Sequence, residues 1–169
     1  MKQLRQGKEK VASNENKSSQ ESKPSSEVVE EIKEVCKDLG LKKLSFVDEW
    51  LRNGWSVEEL REVVWTLRIK HPVSNPVGFL LYYCPKGPSP TRTALREILG
   101  PEGFPIHPED RERAFEPLRV QLASLRRRLD LNGNAPRIYR LYERYLTEVY
   151  RRWKRELGKV RETKGGAGR

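Results

Sequence analysis

Residues 137–155 read RIYRLYERYLTEVYRRWKR. Arg137, Arg140, Arg144, Arg151 and Arg155 recur there at spacings of three, four, seven and four. At 100° per residue they fall within roughly 60° of arc on one helical face, and only Glu148 interrupts the stripe. Ile138, Leu141, Tyr142, Tyr145, Leu146, Val149 and Trp153 lie mostly on the other side. The spacing predicts a long helix that packs along one face and keeps the other cationic.

Just upstream, NGN at 132–134 is a turn, and Pro136 opens the arginine-bearing helix. Phe115, Leu118, Leu122, Leu125 and Leu129 precede the turn at intervals of three and four. Pro117 either starts that helix or kinks it. Two such helices joined by a short turn form an antiparallel hairpin over 109–160, leucine seam against aromatic seam. Residues 161–169, ending in GGAGR, are expected to fray into solvent.

Further upstream, PEGFPIHP at 101–108 reads as a linker, and 27–100 as a small helical subdomain. Val28, Ile32, Val35 and Leu39 have helical spacing, with Gly40 as the stop. Ser45 is expected to cap a short helix that ends at Gly54. Ser56 and Glu59 make a capping box, with Trp55 and Leu60 as a hydrophobic staple. That helix runs towards His71, and Pro72 closes it. Asn75-Pro76 then restarts the pattern ahead of VGFLLYY. A strand is the alternative for so short an apolar run; the cap and proline favour a helix. CPKGPSP at 84–90 reads as a loop, and Ser89-Pro90 opens another short helix to Gly100. Residues 1–26 are polar and aperiodic, a disordered tail that serves either as a solvating extension or as a flexible basic arm. The fold class is all-α.

Composition narrows the function. The net charge is +10, and residues 109–169 alone carry seventeen Lys/Arg against nine Asp/Glu. Fourteen of those seventeen are arginine, whereas residues 27–108 hold five arginines and six lysines. Planar, bidentate guanidinium forks suit phosphate, although they also serve ion pairs. No apolar run approaches the ~18 residues of a membrane span, and the N-terminal MKQLRQGKEK lacks the apolar stretch of a signal peptide. A cytoplasmic protein with no membrane partner is therefore expected. Cys36 and Cys84 read as small core hydrophobes, and with only His71 and His107 beside them they assemble no zinc-ligand spacing.

Enzymatic motifs are missing: there is no glycine-rich phosphate loop, nucleophile elbow or HExxH pair. Neither a cofactor nor a catalytic residue is expected. EVVEEIKEVCKD at 27–38 interleaves lysines with its carboxylates and reads as a solvated, ion-paired face. The candidate binding residues are Arg126, Arg127, Arg137, Arg140, Arg144, Arg151, Arg152 and Arg155. Five to seven phosphate contacts on duplex DNA give log K a slope of roughly −4.5 to −6.3 against log salt. The competing reading is a surface helix laced with ion pairs, since Glu143, Glu148 and Glu156 lie nearby. Tyr139 and Tyr150, off the apolar centre, either stack on bases or edge the core.

Residues 45–83 read SFVDEWLRNGWSVEELREVVWTLRIKHPVSNPVGFLLYY. A helix bearing Trp50 ends at Gly54, a capped helix with Glu58 and Glu59 in its first turn follows, and then comes Asn75-Pro76-Val77-Gly78-Phe79-Leu80. This layout resembles the helical module near the C-terminus of bacterial replication initiation and primosome proteins, including the DnaD-like group and plasmid replication initiators. The resemblance implies an accessory or initiator role at a replication origin, with DNA contacts made by the basic segment after the module. The winged-helix domain that precedes the module in that family has the polar stretch 1–26 in its place, so base-specific origin reading is not implied.

The function expected is that of a nucleic-acid-binding accessory protein of plasmid or phage replication, with DNA placed ahead of RNA. Other replication or nucleoprotein subunits are the further partners. One alternative is a small helical subunit of a CRISPR-type ribonucleoprotein. Another is a phage-encoded inhibitor that binds host protein through Trp50, Trp55 or Trp65 at an exposed patch.

Overall fold

The computed structural model describes residues 16–103 and 110–167. Seven α-helices account for most of them, with no strand among the described residues: α1 (Asn16–Leu39), α2 (Ser45–Arg52), α3 (Val57–Lys70), α4 (Pro76–Tyr83), α5 (Pro88–Leu99), α6 (Arg111–Leu131) and α7 (Arg137–Ala167). Single 3-10 turns at Cys84–Lys86 and Gly100–Glu102 link α4 to α5 and follow α5. The chain is thus all-α, and VGFLLYY is a helix.

Local chemistry explains most of the boundaries. At the end of α1, Gly40 takes a φ of +112°, and the Leu41 N–H reaches back to the Cys36 carbonyl at 2.9 Å. Gly54 does the same for α2 with a φ of +110°. The Ser56 hydroxyl accepts from the Glu59 N–H while the Glu59 carboxylate accepts from the Ser56 N–H, a complete capping box. The Asn75 side chain accepts from the Gly78 N–H at 2.9 Å, with Pro76 in the first helical position.

Several boundaries differ from expectation. Helix α1 begins at Asn16 rather than near Ser26, and α7 continues to Ala167 rather than fraying from 161. Extending a formed helix avoids the nucleation cost that an isolated polar segment meets. Ser45 is the first residue of α2 and not its cap; Leu44 holds the cap position without a side-chain hydrogen bond. Helix α5 starts at Pro88 inside the expected loop. Pro117 lies within α6, which starts earlier, at Arg111. Residues 1–15 of the expected tail, 104–109 of the expected linker and His107 with them lie outside the described residues.

Helices α6 and α7 run antiparallel: Arg111 pairs with Glu156, Phe115 stacks on Tyr150 at 5.2 Å, and Arg126 bonds Glu143. Ala114, Leu118, Leu122 and Leu125 are buried against Leu141, Tyr142, Tyr145, Leu146, Val149 and Trp153. The same cluster contains the interior of 27–100: Ile32, Val35, Trp50, Trp55, Leu60, Val64, Trp65 and Leu80. Trp65 joins the two parts, its indole lying 5.7 Å from the Tyr142 ring and 5.3 Å from the Tyr145 ring. Subdomain and hairpin therefore share one core. Cys36 and Cys84 are free thiols within it.

Candidate nucleic-acid interface

The stability of α7 comes from its aromatic-leucine face; the opposite face is largely exposed, with Arg144 lining a cleft beside Glu27 and Glu30 of α1. Arg140, Arg144, Arg151 and Arg155 are all exposed, and none forms an ion pair with a carboxylate among the described residues. At 1.5 Å per residue the row from Arg140 to Arg155 is about 22 Å long. Arg140 donates to the Gly133 carbonyl at 3.0 Å, which leans it over the turn between α6 and α7. Lys154 is also exposed, its ammonium 5.9 Å from the centre of the half-buried Tyr150 ring. It extends the cationic face by one residue that the stripe pattern leaves out.

The other four candidates are placed differently. Arg137, in the first turn of α7, is ion-paired to Glu34 of α1. Arg126 donates to the Glu143 carboxylate and the Thr147 hydroxyl, both at 2.9 Å. Arg152 is turned inward, 3.7 Å from Glu62, and its Nε is buried without a hydrogen-bond partner. Arg127 is exposed but sits nine residues from the buried Leu118, so it projects from the back of α6. The fold brings four of the eight together on one face.

Glu148, the one acid in the stripe, is held away from those four. Its two oxygens accept from Nη1 and Nη2 of Arg61 in α3, at 3.0 and 3.1 Å. Arg61 also donates to the buried Glu31 of α1, through Nε at 2.7 Å and Nη2 at 3.1 Å. Glu31 accepts a third bond, from Trp65 Nε1 at 2.6 Å. The guanidinium lies 4.9 Å above the Tyr145 ring. Burial alone would lower the Arg61 pKa, but the bonds to Glu148 and Glu31 more than reverse this and hold it above its ordinary value. Arg61 thus ties α1, α3 and α7 together and removes Glu148 from the arginine row. No periodic signal marks this residue, because its partners stand 30 and 87 positions away.

A second ionic cluster occupies the junction of α3, α5, α6 and α7. Glu62 faces Arg92 at 3.6 Å and Arg152 at 3.7 Å. Burial pushes its carboxyl up to about 7, and Arg92, Arg152 and Arg111 only partly offset that. Tyr145 lies next to this cluster, its phenol fully buried and raised well above the ordinary range by that burial.

The two tyrosines expected as stacking candidates, Tyr139 and Tyr150, are both half-buried and engaged within the fold. Tyr150 is taken by Phe115, and Tyr139 carries the Arg68 guanidinium 5.6 Å above its ring. Trp50, Trp55 and Trp65 are all in the core, so no protein-binding patch can be made from them. The expectation of an exposed tryptophan surface is corrected accordingly: indoles of this size bury more apolar area than any other side chain here, and the core claims them. His71 ends α3 in a left-handed conformation, with its N–H on the Leu67 carbonyl. No metal-holding group of His, Cys, Asp and Glu occurs among the described residues. No described helix is long and apolar enough to cross a membrane.

Comparison of the chain with protein-family models, with curated proteins and with solved structures returns no match.

Proposed function

We propose that this chain binds nucleic acid by laying Arg140, Arg144, Arg151 and Arg155 of α7 along a phosphate backbone, as an accessory protein of DNA replication. The carrying observation is the row of four exposed guanidinium groups free of carboxylate partners among the described residues, on a helix fixed from behind by the core. A row of this kind fits repeated phosphates through bidentate bonds and reads no base edges. The resemblance of residues 45–83 to the replication module supports DNA and the replication setting. Within that reading, the packed 27–100 region positions the hairpin and offers contacts to other replication proteins.

With four or five phosphate contacts, counting Lys154, log K falls against log salt with a slope of roughly −3.6 to −4.5 on duplex DNA. On a single strand the slope is roughly −2.8 to −3.5. The combined variant Arg140→Glu, Arg144→Glu, Arg151→Glu tests the face in a mobility-shift titration. Loss of binding is expected with helicity intact by circular dichroism, while Arg127→Glu, on the back of α6, binds nearly as the parent does. Unchanged affinity in the triple variant with full helicity would overturn the assignment.

A further inference from the structure

The end of the hairpin holds a feature that phosphate binding does not use. Where α6 turns into α7, Leu125, Leu129, Leu131, Pro136 and Tyr139 wall a cleft of about 330 Å³, with Arg128 on its side. Leu131 is 82% exposed, the most exposed large apolar side chain among the described residues. With the half-buried Leu129 and Tyr139 beside it in the cleft, Leu131 forms a continuous apolar surface that a partner would bury.

Charge around the cleft is one-sided. No carboxylate lines it. Arg128 is exposed and makes no ion pair among the described residues. Asp130, two positions on, is turned about 160° away from Arg128 around α6. Nearby Arg68 is already held by Asp38 and lies over Tyr139. Apart from Arg128, the Asn132 amide and Tyr139, whose ring is shared with Arg68, the walls are aliphatic, so the cleft seats a branched or aromatic side chain better than a stacked base. A second copy of this chain would bring its own strongly basic hairpin against Arg128, and like charges in register repel.

We infer that this cleft docks an acidic peptide segment of a partner protein, one apolar side chain seated among Leu129, Leu131, Pro136 and Tyr139 and its carboxylates against Arg128. The site is separate from the arginine row and does not depend on the nucleic-acid reading. A partner held there would sit beside Gly133, over which Arg140 leans, at one end of the proposed backbone path.

Fluorescence anisotropy of the full chain tests this with three labelled peptides. The first carries three aspartates followed by two leucines and a phenylalanine; the second replaces the aspartates by lysines; the third replaces the apolar residues by serines. Saturable binding of the first alone is expected. Leu131→Ser and Arg128→Glu, both at exposed positions that leave the helicity unchanged, should each weaken it by about tenfold. No binding of the first peptide, or binding that both variants leave intact, would overturn the proposal. So would equal binding of the lysine peptide. A concentration-dependent dimer in sedimentation that Leu131→Ser abolishes would assign the cleft to a second copy instead. Weaker oligonucleotide binding by Leu131→Ser would assign it to nucleic acid. Either result sinks the peptide reading, and neither bears on the triple arginine variant.

Discussion

Replacing Arg61 by methionine should cost far more stability than removing the exposed carboxylate it also holds. The Arg61 side chain is 12% exposed and that of Glu31 6%, whereas Glu148 is 49% exposed. Methionine keeps the aliphatic bulk over Tyr145 but strands the Glu31 carboxylate, which then retains only the Trp65 indole N–H. An uncompensated buried charge of this kind costs about 3–5 kcal/mol. Against a total of about 5–15 kcal/mol for a domain, that is a large share. Glu148→Ala removes a half-exposed partner and should cost about 0–1 kcal/mol. Urea unfolding followed by tryptophan fluorescence measures both, since all four tryptophans are buried in the one core. Pairing Arg61→Met with Glu31→Leu should recover most of the loss, leaving about 1–3 kcal/mol for the unbonded Trp65 N–H. A functional consequence follows too. Glu148, released, stands four residues from Arg144 and three from Arg151, within reach of both, so Arg61→Met should bind oligonucleotides more weakly at low salt. If Arg61→Met costs no more than Glu148→Ala, the description of Arg61 as the tie between α1, α3 and α7 is wrong.

Other tests concern the interior. The folded pKa of Glu62 lies near 7, above its ordinary 4.5, so its contribution to stability is full below about pH 4.5 and is lost as pH rises through 7. Glu62→Gln mimics the protonated form. Its stability relative to the parent should therefore rise between pH 5 and pH 8, by up to the order of 3 kcal/mol; parallel urea midpoints across that range would contradict the assignment. Burial pushes the Cys36 thiol up to about 12 and the Cys84 thiol higher still. Neither should react with a thiol-specific dye at pH 8 until the chain is unfolded, and stoichiometric labelling of the native protein would show the interior to be open.

What could be read from the chain alone was whatever depends on near neighbours. Ser56 with Glu59, Asn75 with Pro76, and Gly40 and Gly54 act over a few residues, and all do in the structure what their spacing implies. The buried and exposed sides of α7 were legible for the same reason, because a helical period is a local property. Ser45 is not the cap because a hydroxyl ahead of an apolar run suits a cap but does not fix the turn in which the helix starts. The fate of individual arginines was not legible. Arg137 is engaged by Glu34, 103 residues away, and Arg152 is turned to Glu62 by the way α3 crosses the hairpin. Helical phase places Arg137 and Arg155 at the same angle, yet one is tied down and the other open. Only the tertiary neighbours distinguish them. Arg61 was silent for the converse reason, since one arginine among leucines and glutamates of α3 carries no pattern of its own.

Trp65, stacked on the Tyr142 and Tyr145 rings, holds α7 against the rest of the core. A peptide cut from the hairpin would carry every cation of the row but lack the wall that α7 leans on, and with it the restraint on where those cations point. Such a fragment should behave as a flexible polycation that adapts to any polyanion offered. The intact chain, with its row held at fixed intervals, should discriminate among backbones by their pitch.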